Sequence, residues 1–230
     1  MTTLYQFAAS PYCDKVRRVL RYKQVPFTIY EWPLAEVPLI REKNPIGKLP
    51  MLDLDGTLIP DSTNIALEIE RRFPTPPLLP ADPVQRAQVL ILEDWADESL
   101  YFYEMTTRFG EEDFAANVGK LVAGAPQEML DAIAPMLREG FKATTGAQGV
   151  GRKSPQQLAD DVDRLFDAID DLQRATGFVV GTSLSLADIA ICVQAECIGD
   201  STIGKQALRP RPSLSEYFKR VDTLTHADRV

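Results

Sequence analysis

The sequence predicts two units in series, a small mixed α/β fold followed by an all-helical one. Three observations carry this expectation. Up to residue 73, short β-branched or aromatic runs alternate with amphipathic ones in the order β-α-β-α-β-β-α. Residues 74–83, PTPPLLPADP, then hold five prolines, a density that neither a helix nor a central strand tolerates. Beyond them the periodic segments carry the helical spacing of about 3.6 residues. The expected division is residues 1–76 for the mixed unit, 77–83 for a stiff linker and 84–230 for the helical unit.

Each element has its own local warrant. TLYQF at 3–7 reads as a strand. Ser10 suits an N-cap and Pro11 the first helical position, where its missing N–H costs nothing, so a helix is expected from Pro11 to Lys23 with Val16, Val19 and Leu20 inward. FTIYE at 27–31 is a second strand, and 34–43 a weakly marked helix. MLDLDGTLI gives two strands around Asp55-Gly56, a dipeptide that favours a tight hairpin turn. Asp61-Ser62 opens a helix with Ile65, Ala66, Ile69 and Phe73 on one face. Past the prolines, 84–109 reads as one long helix, and 111–142 as helix broken by Pro126 and Pro135. ATTGAQGVGRK at 143–153 reads as a glycine-rich loop, and 155–176 as an amphipathic helix whose aspartates form a solvated face. Further helices start at Ser185 and cover 213–222. Gly146 to Ser154 nearly spells a phosphate-binding loop, but Arg152 is inserted and no strand precedes it.

Composition removes several classes of function. With 25 Lys and Arg against 33 Asp and Glu, the formal net charge is −8, which argues against nucleic acid or an acidic membrane as partner. No apolar run approaches the ~20 residues of a membrane-spanning helix, and the N-terminus lacks the pattern of a signal peptide, so a cytoplasmic protein is expected. Three cysteines, Cys13, Cys192 and Cys197, form no CxxC pair and imply neither a disulfide framework nor a metal site. The single histidine, His226, lies close to the C-terminus, so any enzyme here must work without a histidine base.

Four local features point to chemistry. Ser10 caps a helix N-terminus, which favours a bound anion such as a thiolate. Leu49-Pro50 precedes a strand, where a cis peptide would turn the Leu49 backbone outward. Asp61-Ser62 offers an acid and a hydroxyl beside free N–H groups, a setting for the ammonium and carboxylate of an α-amino acid. Ser185 and Asp188 form a capping-box-like start to a buried helix.

SPYCDKVR from Ser10, NPIGKLP from Asn44, Asp61-Ser62 and GTSLSLADIA from Gly181 resemble, in order and at similar spacings, the landmarks of cytosolic glutathione transferases. The resemblance implies a thioredoxin-like domain followed by the family's all-helical domain. It also implies glutathione as co-substrate, a small hydrophobic electrophile as second substrate, no metal, and a homodimer. Carried over residue by residue, Ser10 falls at the catalytic position. The Leu49 backbone, before Pro50, would pair with the cysteinyl part of glutathione, and Asp61 and Ser62 would hold its γ-glutamyl end. A free thiol titrates near ~8.5, and a serine hydrogen bond plus a helix N-terminus would lower that value. Asp61 stands where many relatives have glutamate. SPYC resembles the redox motif CPYC with its first cysteine replaced by Ser10, which leaves Cys13 as a second candidate for the functional group. Tyr12, Tyr101, Phe102, Tyr103 and Phe109 are candidate walls for the electrophile. Two other readings stand beside conjugation: a non-catalytic binding or scaffold protein using 111–153, and a glutathione-dependent oxidoreductase or isomerase, the oxidoreductase working through Cys13.

Overall fold

The computed structural model describes residues 2–121 and 126–226. Strands β1 (Thr2–Gln6), β2 (Thr28–Glu31), β3 (Met51–Leu54) and β4 (Thr57–Pro60) form one mixed sheet in the order β2-β1-β3-β4. β2 runs parallel to β1, β3 antiparallel to β1, and β4 antiparallel to β3. The β3–β4 turn places Asp55 and Gly56 both at positive φ, as a tight primed hairpin turn requires. Helix α1 (Pro11–Tyr22) starts at the Ser10 cap and packs against α3 (Ser62–Arg72). A 3-10 segment, Leu34–Leu39, leads into the short α2 (Ile40–Lys43).

The helical part comprises α4 (Pro83–Trp95), α5 (Tyr101–Arg108), α6 (Phe114–Leu121), α7 (Gln127–Gln148), α8 (Pro155–Thr176), α9 (Leu186–Gly199), α10 (Thr202–Leu208) and α11 (Pro212–Thr225). Its core is continuous with that of the sheet: Leu4, Val16 and Ile65 belong to the same buried cluster as Phe166, Ile189 and Tyr217. The proline-rich segment joins this core through Leu78, whose carbonyl accepts from Leu186 N–H at 3.0 Å.

Four expectations need correction. The helix over 84–109 is interrupted by one π turn, Ala96–Leu100, between α4 and α5. Pro126 does precede a helix, but Pro135 does not break it, and α7 runs through. Pro135 and Asp131, whose carbonyl the proline leaves without an amide, are both exposed, so water can satisfy the freed group. Residues 122–125 of that stretch lie outside the described residues. The glycine-rich 143–153 is helical up to Gln148 and ends at Gly149, whose φ of 116° is left-handed. Finally, the acidic face of α8 is partly paired, with Arg211 bridging Asp163 and Asp167 at 2.7 Å each. Helix α10 was not anticipated. It begins one turn after α9 with such close approach that a Cβ on Gly204 would sit 1.9 Å from the Ile198 carbonyl oxygen.

Candidate active site

Ser10 holds an extended conformation, and its Oγ accepts from Cys13 N–H at 3.4 Å. It is partly exposed. Cys13, one turn deeper, is fully buried, and that burial outweighs the Ser10 hydrogen bond to push its thiol up to about 11. A thiol held in that range is a poor nucleophile at neutral pH.

The turn after α2 is pinned by Asn44, whose Nδ2 donates to the Lys48 carbonyl at 2.7 Å while Oδ1 accepts from Ile46 N–H at 3.0 Å. It leads into a cis Leu49–Pro50 bond. Asp61 sits at φ 75°, and its Oδ1 caps α3 by accepting from Thr63 and Asn64 N–H, each at 3.0 Å. Leu49, Pro50, Asp61 and Ser62 converge on one cavity of about 100 Å³ between the sheet domain and α4.

That cavity rests on a buried ionic network joining the two domains. Lys15 of α1, with its side chain fully buried, forms ion pairs with Glu93 of α4 and with Asp97 Oδ2 at 2.5 Å. Thr63 Oγ1 donates to Glu93 at 2.7 Å and accepts from Lys15 Nζ at 3.1 Å. Ser62 Oγ lies 3.4 Å from both Lys15 Nζ and Asp97 Oδ2. The π turn brings Asp97 into this network, and Tyr12 Oη donates to the Asp97 carbonyl at 2.6 Å. Burial raises the Asp97 carboxyl to about 6 against the pull of Lys15, and the Glu93 charge adds to the rise. Its Oδ1 is buried without a hydrogen-bond partner among the described residues. With Asp61, Asp94 and Glu98, Asp97 makes the cavity wall strongly acidic, and among the described residues Lys48 is the one cationic side chain lining it.

Ser10 lines a separate, neighbouring cavity of about 120 Å³. A third, of about 370 Å³, adjoins the acidic one through Tyr12, Lys48 and Glu98. Tyr12, Tyr101 and Phe102 line it, together with Met136, Leu137 and Phe141 of α7. Phe109 stacks on Phe141 with centroids 4.2 Å apart. Tyr103 is buried elsewhere, its hydroxyl 3.1 Å from Asp161. The α7 residues were missed because prolines masked a pattern that was present: Leu137, Phe141 and Thr144 recur at one-turn intervals, with Met136 beside the first. Lys15, Glu93 and Asp97 were missed because they meet only through the tertiary fold. Cys192, Glu196 and Asp222 also lie together, but Arg18 occupies their midst, 2.7 Å from Glu196 and Asp222 and 3.6 Å from Cys192 Sγ. That donor set is already served by a cation.

A four-stranded mixed sheet with a cis-proline turn, followed by a helical second domain, defines the class structurally as a thioredoxin-like domain joined to an all-helical one. The glutathione S-transferase N-terminal domain matches residues 4–77, and the glutathione S-transferase C-terminal domain matches 125–224. The chain is 27% identical over 227 residues to the isoprene-epoxide–glutathione S-transferase of Rhodococcus sp. strain AD45, covering 92% of this chain and 91% of that one. Among solved structures, a glutathione S-transferase from Rhodospirillum rubrum F11 shares the fold at TM-score 0.69 and 21% identity, over 97% of this chain and 88% of that one. FzlA from C. crescentus does so at 0.70 and 21%, over 100% of this chain and 93% of that one. The chain belongs to the glutathione S-transferase family.

Proposed function

We propose that this protein is a glutathione transferase that activates the glutathione thiol for attack on a small electrophile, with residues 1–76 binding glutathione, 84–230 forming the helical domain and 77–83 joining them. The observation that carries this reading is the convergence of Leu49, Pro50, Asp61 and Ser62 on one acidic cavity of a family member. Its acid wall suits an α-ammonium, and Ser62 at the start of α3, where Asp61 already takes the Thr63 and Asn64 N–H groups, is the donor we assign to an α-carboxylate. Asp97 Oδ1, buried without a partner, is the acceptor we assign to the ammonium. The Leu49 backbone pairs with the cysteinyl part. Ser10, at the α1 N-terminus, hydrogen-bonds the thiolate and lowers its pKa. Cys13 stays a thiol in the core. The electrophile lies in the apolar cavity under Tyr101, Phe102 and Phe141.

The test is isothermal titration with reduced glutathione beside turnover of an epoxide or aryl halide. Asp61→Ala should weaken binding about tenfold or more, since it removes both an acid and a helix cap. Ser10→Ala should retain binding and lose about 10²-fold or more in kcat, the scale for one donor to a developing or reacting anion. No binding at millimolar glutathione would reject the reading.

A pH dependence follows from Asp97. Its carboxyl titrates near 6, so the ionised form that receives an ammonium is present above that value and lost below it. Affinity for S-methylglutathione, which has no thiol to titrate, should therefore fall as pH drops through about 6. In Asp97→Asn it should be weaker and flat over that range. A wild-type profile without a step between pH 5 and 7 would remove Asp97 from the site.

We further propose a cytoplasmic homodimer. In support, Val84 and Ile91, two turns apart on the outer face of α4, are 67% and 69% exposed, and no described helix is long and apolar enough to cross a membrane.

A further inference from the structure

The cavity beside Ser10 lies between the β1–α1 turn, the end of α5 and the last turns of α9. Its volume of about 120 Å³ is well above the roughly 10–15 Å³ that one water needs. Arg17 of α1 and Arg108 of α5, one from each domain, both line it, and each is only 4% exposed. In each guanidinium the Nε–H is buried and finds no acceptor among the described residues. Neighbouring guanidinium nitrogens are engaged: Arg17 Nη1 donates to Gln6 Oε1 at 2.8 Å and Nη2 to the Ala8 carbonyl at 3.0 Å. Arg108 Nη1 donates to Glu104 Oε1 at 3.0 Å and to the Ala9 carbonyl at 3.2 Å.

A guanidinium carries donors only and does not lose its proton, so a shift of charge cannot relieve an orphaned N–H. An acceptor must come from outside the described residues. The acids that border the cavity are already paired: Asp14 with Arg17 and Arg18, Glu196 with Arg18, and Asp200 with Lys120. The N-terminus of the twelve-residue α1 adds its partial positive charge at Ser10. The groups left without partners there are therefore donors, and their field is positive.

We propose that this cavity is a small-oxyanion site, which takes a carboxylate or a phosphate between Arg17 and Arg108 beside Ser10. The inference does not rest on the transferase reading, because the anion can be titrated with no glutathione present.

The experiment titrates the full chain with inorganic phosphate and with succinate at constant ionic strength, against chloride, by calorimetry and by thermal unfolding. Saturable binding with a raised midpoint is expected for at least one of the two. Arg17→Lys and Arg108→Lys keep the charge but lose the Nε–H, and each should weaken that binding about 10- to 100-fold. A cooperative unfolding transition in chloride, at a lowered midpoint, will show that these variants fold. Lys120→Ala removes a half-exposed charge at the rim and should weaken binding a few-fold without threatening the core. A last arm separates the two sources of the anion. If an electrophile bearing a carboxylate shows a KM raised by Arg17→Lys and by added phosphate, while its uncharged analogue does not, the site serves the substrate. If phosphate binds but leaves that KM alone, the site serves a free anion. Stabilisation no greater than that by chloride, or binding that none of the three variants weakens, would overturn the proposal and leave the cavity to water.

Discussion

Replacing Asp188 by alanine should cost about 3–5 kcal/mol of folding stability, a large share of the ~5–15 kcal/mol a typical domain holds. Asp188 lies at the start of α9 with no exposed surface, and its carboxylate collects four donors. Val179 N–H and Ser185 N–H donate at 2.8 Å each, Ser185 Oγ at 2.6 Å and Tyr217 Oη at 2.8 Å. Alanine leaves these donors in the interior without an acceptor, and the cost of one such group is about 1–3 kcal/mol. Asparagine keeps one acceptor oxygen but sets an NH₂ against another donor, so Asp188→Asn should fall between. Urea unfolding of the three proteins measures this directly, as a drop in midpoint at constant slope. A loss below about 1 kcal/mol for the alanine variant would mean that water enters the α8–α9 connection and satisfies the donors.

Lys15→Met should be similarly damaging, by about 3–5 kcal/mol near neutral pH, because it leaves Glu93 and Asp97 buried beside each other without their cation. The deficit should depend on pH in a definite direction. Without Lys15 the Asp97 carboxyl, already raised by burial and by the Glu93 charge, loses the pull that lowers it and titrates higher still in the folded chain than in the unfolded one. The unfolded state then holds fewer protons between the two values, and stability falls as pH rises through that window. The variant should thus lie closest to the parent at about pH 5 and furthest from it at pH 8. Adding Glu93→Gln and Asp97→Asn should recover most of the loss, since the triple variant buries no charge. A deficit that stays constant with pH, or a triple variant no better than Lys15→Met, would show that Lys15 acts through packing alone.

These two sites differ in how much of them the sequence displays. Ser185 and Asp188 are three residues apart, and the capping box they form is a local rule, legible without any fold. The same holds for Ser10-Pro11 at the start of α1, Asp55-Gly56 in the hairpin, and Asp61 at the start of α3. Lys15 lies 78 residues from Glu93 and 82 from Asp97, and it sits among exposed-looking basic positions of α1. Nothing in the spacing distinguishes it from Lys23 or Arg21. The π turn was equally hidden, because it leaves no breaker residue behind: Ala96 to Leu100 reads as ordinary helix. For α7 the error ran the other way. Pro135 removes one helical hydrogen bond, but on a face where the freed Asp131 carbonyl meets water the helix continues. The family resemblance supplied roles for Ser10, Leu49, Asp61 and Ser62. The donors of Arg17 and Arg108 had no signature at all, since an orphaned N–H exists only once its neighbours are in place.

The single core shared by the sheet and the helices bears on how such chains can be recombined. Leu78 sits at the seam, and Val16 and Ile65 belong to the same buried cluster as Ile189 and Tyr217. An exchange of the first 76 residues with a relative would therefore cut through a packed interior rather than a hinge. A chimera should be viable only when the donor half brings the side chains that complement α9, together with a cation to meet Glu93 and Asp97. By contrast, α7 borders the cavity under Tyr101 and Phe102 while contributing no described residue to that shared cluster, so its side chains can be changed without disturbing the common interior.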